Sequence, residues 1–118
     1  MDINKIKSDL RKFAEERDWE QFHSPKNLAM ALSGEVGELS EIFQWLTEDQ
    51  SDKENISDED LAKVREEVAD ILLYIICLSD KLDIDLEQAL FDKLKINKEK
   101  YPIELSKGNA TKYNRRDE

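Results

Sequence analysis

Four carboxylates stand at spacings suited to chemistry. Glu35 and Glu38 are three residues apart, and so are Glu67 and Asp70. On a helix, residues three or four apart leave from one face. Two such pairs on neighbouring helices can converge and offer oxygen ligands to a common point. With no imidazole or thiolate in support, that donor set is hard. It suits Mg²⁺, with Mn²⁺ as the alternative, better than zinc or copper. Like charges gathered in a partly dry place repel one another, so a divalent cation is close to a requirement. The competing reading pairs these acids with Lys63 and Arg65. The one histidine, His23, precedes a helix, which disfavours a di-iron bundle built from Glu-x-x-His pairs. The one cysteine, Cys77, rules out an intrachain disulfide and reads as a small core hydrophobe rather than a nucleophile.

Helices must position these acids, and four are legible. The first spans about Ile3 to Arg17, with Ile6, Leu10 and Phe13 at spacings of four and three. Asp18 to His23 breaks it. Ser24 then reads as an N-cap with Pro25 at the first helical position, where its missing N–H is harmless. This second helix runs to about Leu46. Thr47 to Ile56 reads as a polar, acidic loop. Ser57, followed by Asp58, Glu59 and Asp60, starts a third helix that continues to about Leu82. Asp85 caps a fourth, running to about Lys100 and stopped by Pro102. The remainder, from about residue 102 onward, reads as an irregular tail, and residues 1–118 as a single domain.

The placement of the acids on their helices is the informative feature. On a wheel at 100° per residue, Leu28, Ala31, Leu39, Ile42 and Leu46 fall within about 40° of Glu35. Glu38 lies about 60° to one side, next to Trp45. Solvated acids would lie opposite the apolar face, and ionised carboxylates are rarely buried without a partner. In the third helix, Val64, Val68, Ile71, Ile75, Leu78 and Leu82 form a stripe with Glu67, Asp70 and Tyr74 along its edge. Ile71 to Leu78 is nearly apolar all round, which argues for burial on more than one side, a second subunit being one candidate. Gly34 and Gly37 each cost about 1 kcal/mol in a helix interior. Either something approaches this backbone closely or two helices pack tightly there.

Charged and hydrophobic residues each make up 39% of the chain, while three Gly and two Pro are too few for a turn-rich sheet protein, so the composition favours helices. One short bundle of 118 residues buries a thin core, and self-association is expected. A net charge of −10 repels a nucleic-acid polymer. The segment MDINKIKSDL holds no long apolar stretch, so neither a signal peptide nor a membrane span is expected, and a cytoplasmic location fits.

GEVGELSE (Gly34 to Glu41) followed by EEVADILLY (Glu66 to Tyr74) resembles the all-α nucleotide pyrophosphohydrolases of the MazG type. Three further blocks bring it nearest the dCTP pyrophosphatase branch: ERDWEQFHSPKNLAMAL (Glu16 to Leu32), LFDKLKINKEKYP (Leu90 to Pro102) and SKGNATKY (Ser106 to Tyr113). The likeness covers nearly the whole chain. It implies a four-helix bundle completed by oligomerisation, as a homodimer or homotetramer. It also implies hydrolysis of a nucleoside triphosphate, dCTP or a related pyrimidine dNTP, to the monophosphate and pyrophosphate, a nucleotide-pool sanitation activity.

By the same resemblance, the metal ligands and catalytic acids fall on Glu35, Glu38, Glu67 and Asp70. Glu67 is preferred to Glu66 because it has the E-x-x-D spacing and the better face. The phosphate-contacting Lys-x-x-x-Asn pattern falls on Lys93 and Asn97. Aromatic groups around the base fall on Trp19, Trp45 and Tyr74, with Phe22 and His23 close by. For each aromatic, ordinary core packing is the plain alternative, and His23 on its own reads as a helix-entry residue sooner than as a hydrogen-bond partner for the base. Some relatives carry a histidine where this chain has Leu10, which bears on base preference. Glu38 is the acid chosen to orient or deprotonate the attacking water. Lys112, Arg115 and Arg116 either reach phosphates of a neighbouring subunit or form a solvated tail. The rival function is a non-enzymatic acidic helical module that binds a basic partner; metal storage lacks soft or imidazole ligands.

Overall fold

A computed structural model describes residues 1–115, and among these every regular element is helical. The helices are α1 (Ile3–Glu16), α2 (Pro25–Phe43), α3 (Glu48–Ser51), α4 (Asp58–Lys81), α5 (Leu86–Lys100) and α6 (Ile103–Ser106). Short 3₁₀ turns cover Glu20–Phe22 and Tyr113–Arg115. Arg116 lies outside the described residues. The chain divides into two compact units, Met1–Ile84 and the residues from Asp85 onward.

Local capping chemistry explains where the helices begin. The Ser24 hydroxyl accepts from the Asn27 N–H at 3.1 Å, and Ser57 does the same for Asp60 at 3.1 Å. The carboxylates of Asp2 and Asp85 accept from Lys5 and Gln88 at 3.0 and 3.1 Å. Each bond satisfies a backbone donor that the first turn leaves unpaired. The loop expected over Thr47 to Ile56 contains a helical turn, α3. A reciprocal capping box explains it: the Gln50 N–H donates to the Thr47 hydroxyl at 3.2 Å, and the Gln50 side chain accepts from the Thr47 N–H at 2.9 Å.

Two helices end on aspartates in the left-handed region, Asp18 (φ 55°) and Asp83 (φ 53°). Both ends close as Schellman motifs. The Trp19 N–H donates to the Ala14 carbonyl at 2.9 Å and the Asp18 N–H to Glu15 at 3.1 Å. The Ile84 N–H reaches Ser79 at 2.9 Å, with Asp83 to Asp80 at 3.4 Å. The first motif turns the chain so that Trp19 meets Phe13 edge-on, ring centroids 5.6 Å apart.

Within the first unit, α4 packs against α2 and against α1. Ile76 follows Glu67 by nine residues, about 180° around the helix, so the two point to opposite sides of α4. That is the physical meaning of the all-round apolar run: one side serves α2, the other α1. The fully buried side chains are Leu28 on α2 and Ile76 on α4, and Ser79 and Ala14 are nearly so. The stripe expected from the sequence holds at Val64, Ile71, Ile75 and Leu78, which are half-buried, but not at its other two positions. Val68 and Leu82 are each 51% exposed, while Ile76 and Ser79 carry the buried line. Arg11 fastens α1 to α4 through a two-pronged contact with Asp80, one prong being Nε to Oδ2 at 2.7 Å. The guanidinium holds the Asp80 carboxyl below the usual carboxylate range.

In the second unit α5 is followed, past Pro102, by the single turn α6 and the turn at Tyr113–Arg115, so the expected irregular tail carries some helix. Tyr101 and Tyr113 meet edge-on with centroids 6.1 Å apart, and the Lys100 ammonium lies 4.7 Å over the Tyr113 ring.

Candidate functional site

The crossing of α2 and α4 brings Glu35, Glu38 and Glu67 together. One carboxylate oxygen from each lies within 4.8 Å of the others. Glu35 and Glu67 are half-buried and Glu38 is exposed. The Oε2 atoms of Glu35 and Glu67 are buried with no hydrogen-bond partner among the described residues. Such an oxygen forfeits its hydration without compensation, an unstable state for an acid unless a cation or proton arrives. The Glu35 carboxyl is accordingly held above its ordinary range, first by contact with Glu67 and then by burial, with Glu38 pulling the other way. The orphaned oxygens and the all-oxygen donors fit a divalent metal ion.

Pairing with lysine or arginine does not explain these acids. Lys63 turns outward to Glu59 at 3.5 Å. Among the described residues, no ion pair reaches Glu35, Glu38, Glu67 or Asp70. Asp70, the fourth expected acid, stands outside the three-carboxylate cluster, one turn along α4, where it is exposed. Its charge nonetheless reaches Glu35 and Tyr74.

Two recesses flank the cluster along α4. Towards the N-terminus lies an acidic groove of about 470 Å³, lined by Glu38, Glu41, Ile42, Asp60, Lys63, Glu66 and Glu67. Towards the C-terminus lies a cavity of about 520 Å³, lined by Ile6, Asp9, Leu10, Phe13, Trp19, His23, Asp70, Leu73, Tyr74 and Cys77. That volume falls in the range of small-ligand sites, roughly 300–1,000 Å³. Burial, followed by the charges of Glu35 and Asp70, raises the Tyr74 phenol, so it remains a hydrogen-bond donor where cavity and carboxylates meet.

Of the aromatic residues expected around a ligand, Trp19 and Tyr74 line this cavity together with His23 and Leu10. Trp45 does not. It follows the end of α2, is 86% exposed and lies outside the cavity. Phe22 is also exposed and outside the lining. Lys93 and Asn97 lie one turn apart on α5, in the second unit, and both are exposed. Cys77 is half-buried in the cavity wall, and burial pushes its thiol up, away from nucleophilic use.

Gly34 and Gly37 answer neither reading within the chain: a Cβ added at either would meet nothing within 4 Å. Both lie on the flank of α2 turned away from α4, so packing of these two helices does not need them. The sequence reading missed Asp9, Leu73 and the groove acids Glu41 and Asp60 as site residues, and it set Glu66 aside for Glu67. Asp9 carried a usable signal, because it lies about 60° from Ile6, beside the apolar face of α1, as Glu38 lies beside that of α2.

The chain is similar to known proteins in sequence and in fold. The family model described as the MazG-like family matches residues 30–115. The chain is 48% identical over 101 residues to dCTP pyrophosphatase 1 of Bos taurus, covering 86% of this chain and 60% of that protein. It is 45% identical over 101 residues to dCTP pyrophosphatase 1 of Homo sapiens, covering 86% and 59% respectively. The chain thus spans about 60% of the length of the curated relatives it matches. Among solved structures it is similar to a pyrophosphatase from Archaeoglobus fulgidus, with TM-score 0.78 and 37% identity, covering 86% of this chain and 94% of that one. No helix among the described residues is long and apolar enough to cross a membrane.

Proposed function

Because the chain belongs to the MazG-like family, we propose that it hydrolyses a nucleoside triphosphate between the α and β phosphates. The products are the monophosphate and pyrophosphate, and the substrate is dCTP or a related pyrimidine deoxynucleotide. The observation that carries this reading is the three-carboxylate cluster, with oxygens within 4.8 Å, adjoining an aromatic-walled cavity of about 520 Å³. The relatives named dCTP pyrophosphatase 1 support the choice of substrate.

Glu35, Glu38 and Glu67, with Asp70 beside them, hold Mg²⁺ in this reading. Bound Mg²⁺ supplies positive charge against the phosphates and lowers the pKa of a coordinated water. Trp19 and Tyr74 offer ring faces to the base, with Leu10 packing at its edge. The phosphate chain extends from the cavity past the carboxylates into the acidic groove, where without a divalent cation the acids, which outnumber Lys63, would repel it. Glu38, exposed at the groove, orients or deprotonates the attacking water. Lys93 and Asn97 are assigned to the phosphates from their Lys-x-x-x-Asn pattern. Self-association into a dimer or tetramer completes the bundle and is supported by the apolar side chains left uncovered, Met30 at 62% and Trp45 at 86% exposed among them. Trp45 reaches a base only in such an assembly.

Incubation with dCTP and Mg²⁺, with the products resolved by anion exchange, should yield dCMP and pyrophosphate. Orthophosphate with dCDP, or no turnover across a panel of ribo- and deoxynucleotides, rejects the proposal and favours the acidic interaction module.

The metal carries a second, pH-dependent expectation. The Glu35 carboxyl ionises at higher pH in the folded protein than in the unfolded chain. Its contribution to stability is therefore full below the unfolded value and lost as pH rises through the raised folded value. The metal-free protein should thus lose stability over that rise. Mg²⁺ at a hundred times its Kd should restore about 2.7 kcal/mol, with a larger shift above the titration than below it, where protons compete. Thermal melts at both pH values with Mg²⁺ or EDTA check this; a shift that is absent, or larger on the acid side, contradicts it.

A further inference from the structure

Asp9 is exposed, yet it lies beside the apolar face of α1 and not opposite it. It follows Ile6 by three residues and precedes Phe13 by four, so the three share one face of α1. All three line the cavity beside the carboxylate cluster, and Leu10 completes that wall. A solvated acid on an amphipathic helix sits on the opposite face. Among the described residues, no ion pair or side-chain hydrogen bond takes up the Asp9 carboxylate. An unpaired acceptor is thus set among Ile6, Leu10 and Phe13 on the α1 wall, in a cavity whose α4 wall carries Asp70 and Tyr74.

An ionised carboxylate accepts hydrogen bonds and donates none. Facing the edge of a pyrimidine, it matches one base type. Cytosine presents an exocyclic amine, a donor, where uracil and thymine present a carbonyl oxygen. Against that oxygen the Asp9 carboxylate would stand acceptor to acceptor, and the side chain of its neighbour Leu10 has no donor to offer.

We propose that Asp9 is a specificity-determining residue that accepts a hydrogen bond from the exocyclic amine of the base. The cavity then selects amino-pyrimidine over 4-oxo-pyrimidine nucleotides. This inference rests on the nucleotide-hydrolase reading of the same site.

The test compares kcat/KM for dCTP and dUTP in the full chain and in Asp9→Asn and Asp9→Glu. The wild type should prefer dCTP. An asparagine carries an acceptor and a donor, so Asp9→Asn should reduce the dCTP:dUTP ratio by about tenfold or more, chiefly through KM. Asp9→Glu keeps the acceptor and should retain most of the preference. A wild type that favours dUTP, or an Asp9→Asn variant that loses both activities alike, overturns the assignment.

If the protein hydrolyses no triphosphate, the hydrolase reading fails, and calorimetric titration with dCMP and dUMP judges Asp9 separately. Preferential dCMP binding that disappears in Asp9→Asn sustains it. Equal binding of the two monophosphates by the wild type overturns it.

Discussion

Glu35→Gln should lower triphosphate turnover on the order of 10³-fold while leaving the metal-free protein as stable as the wild type, or more so. Metal-borne charge stabilisation is worth several kcal/mol, and about 1.4 kcal/mol is a factor of ten in rate. Glu35 is the acid with the largest stake in that charge. It sits at the crossing of α2 and α4, half-buried, with one oxygen orphaned and Glu67 against it. The amide fills the same volume but removes a like charge from its neighbours, so the empty cluster should relax rather than unfold. Loss of activity with gain of apo stability separates a ligand from a structural acid, for which both would fall together. Glu59→Gln, removing an exposed acid whose partner is Lys63, controls for the general change in charge. Steady-state kinetics and urea titrations in EDTA read the two quantities. Retained turnover in Glu35→Gln would sink the metal assignment.

Ile76→Ala should destabilise the protein by about 2–5 kcal/mol, the usual range for removing a buried aliphatic side chain with partial collapse of the cavity. Against a total stability of roughly 5–15 kcal/mol for a domain, that is a large share. Ile76 is 1% exposed, and few side chains in this unit are buried as fully. It lies on the α1 side of α4, lining the same small recess as Leu10, Ala14 and Cys77. Its loss weakens the seat of α1, leaving the Arg11–Asp80 contact to hold that helix. Arg11 is largely exposed, and ion pairs open to water contribute little. Leu10, Phe13 and Trp19 belong to the wall that α1 and its end provide, so binding at the cavity should weaken along with stability. The urea midpoint and the KM for nucleotide measure both. A loss below about 1 kcal/mol would mean that the α1–α4 interface does not depend on this side chain. Ile76→Val, expected at roughly 0.5–1.5 kcal/mol, gives the graded control.

The amino-acid order by itself determined what local physics determines. Ser24, Ser57 and Asp85 start helices because each side chain needs only the N–H three residues on. Pro25 and Pro102 act through their own rings. The intrusion of Glu35 into an apolar face follows from 100° per residue and required no partner helix to be seen. The family motifs then joined two acidic pairs into one expected site. The small Thr47–Gln50 capping box is equally local, and its signal was outweighed by the polarity of the segment around it.

Tertiary structure decided everything that depends on how helices cross. It joined Glu35 and Glu38 to Glu67 and left Asp70 one turn on, beside the cavity. It left Val68 and Leu82 of the expected α4 stripe exposed and buried Ile76 and Ser79 most fully, because that helix is gripped by α2 on one side and α1 on the other. It gave Asp80 to Arg11, a partner 69 residues away in the chain. It also put Asp9, an unremarked acid of the first helix, in the wall of the cavity with Trp19 and Tyr74. A periodic pattern says which residues share a face. Only the packing of one helix on another says what that face meets, since the crossing is fixed by side-chain fit across both surfaces at once.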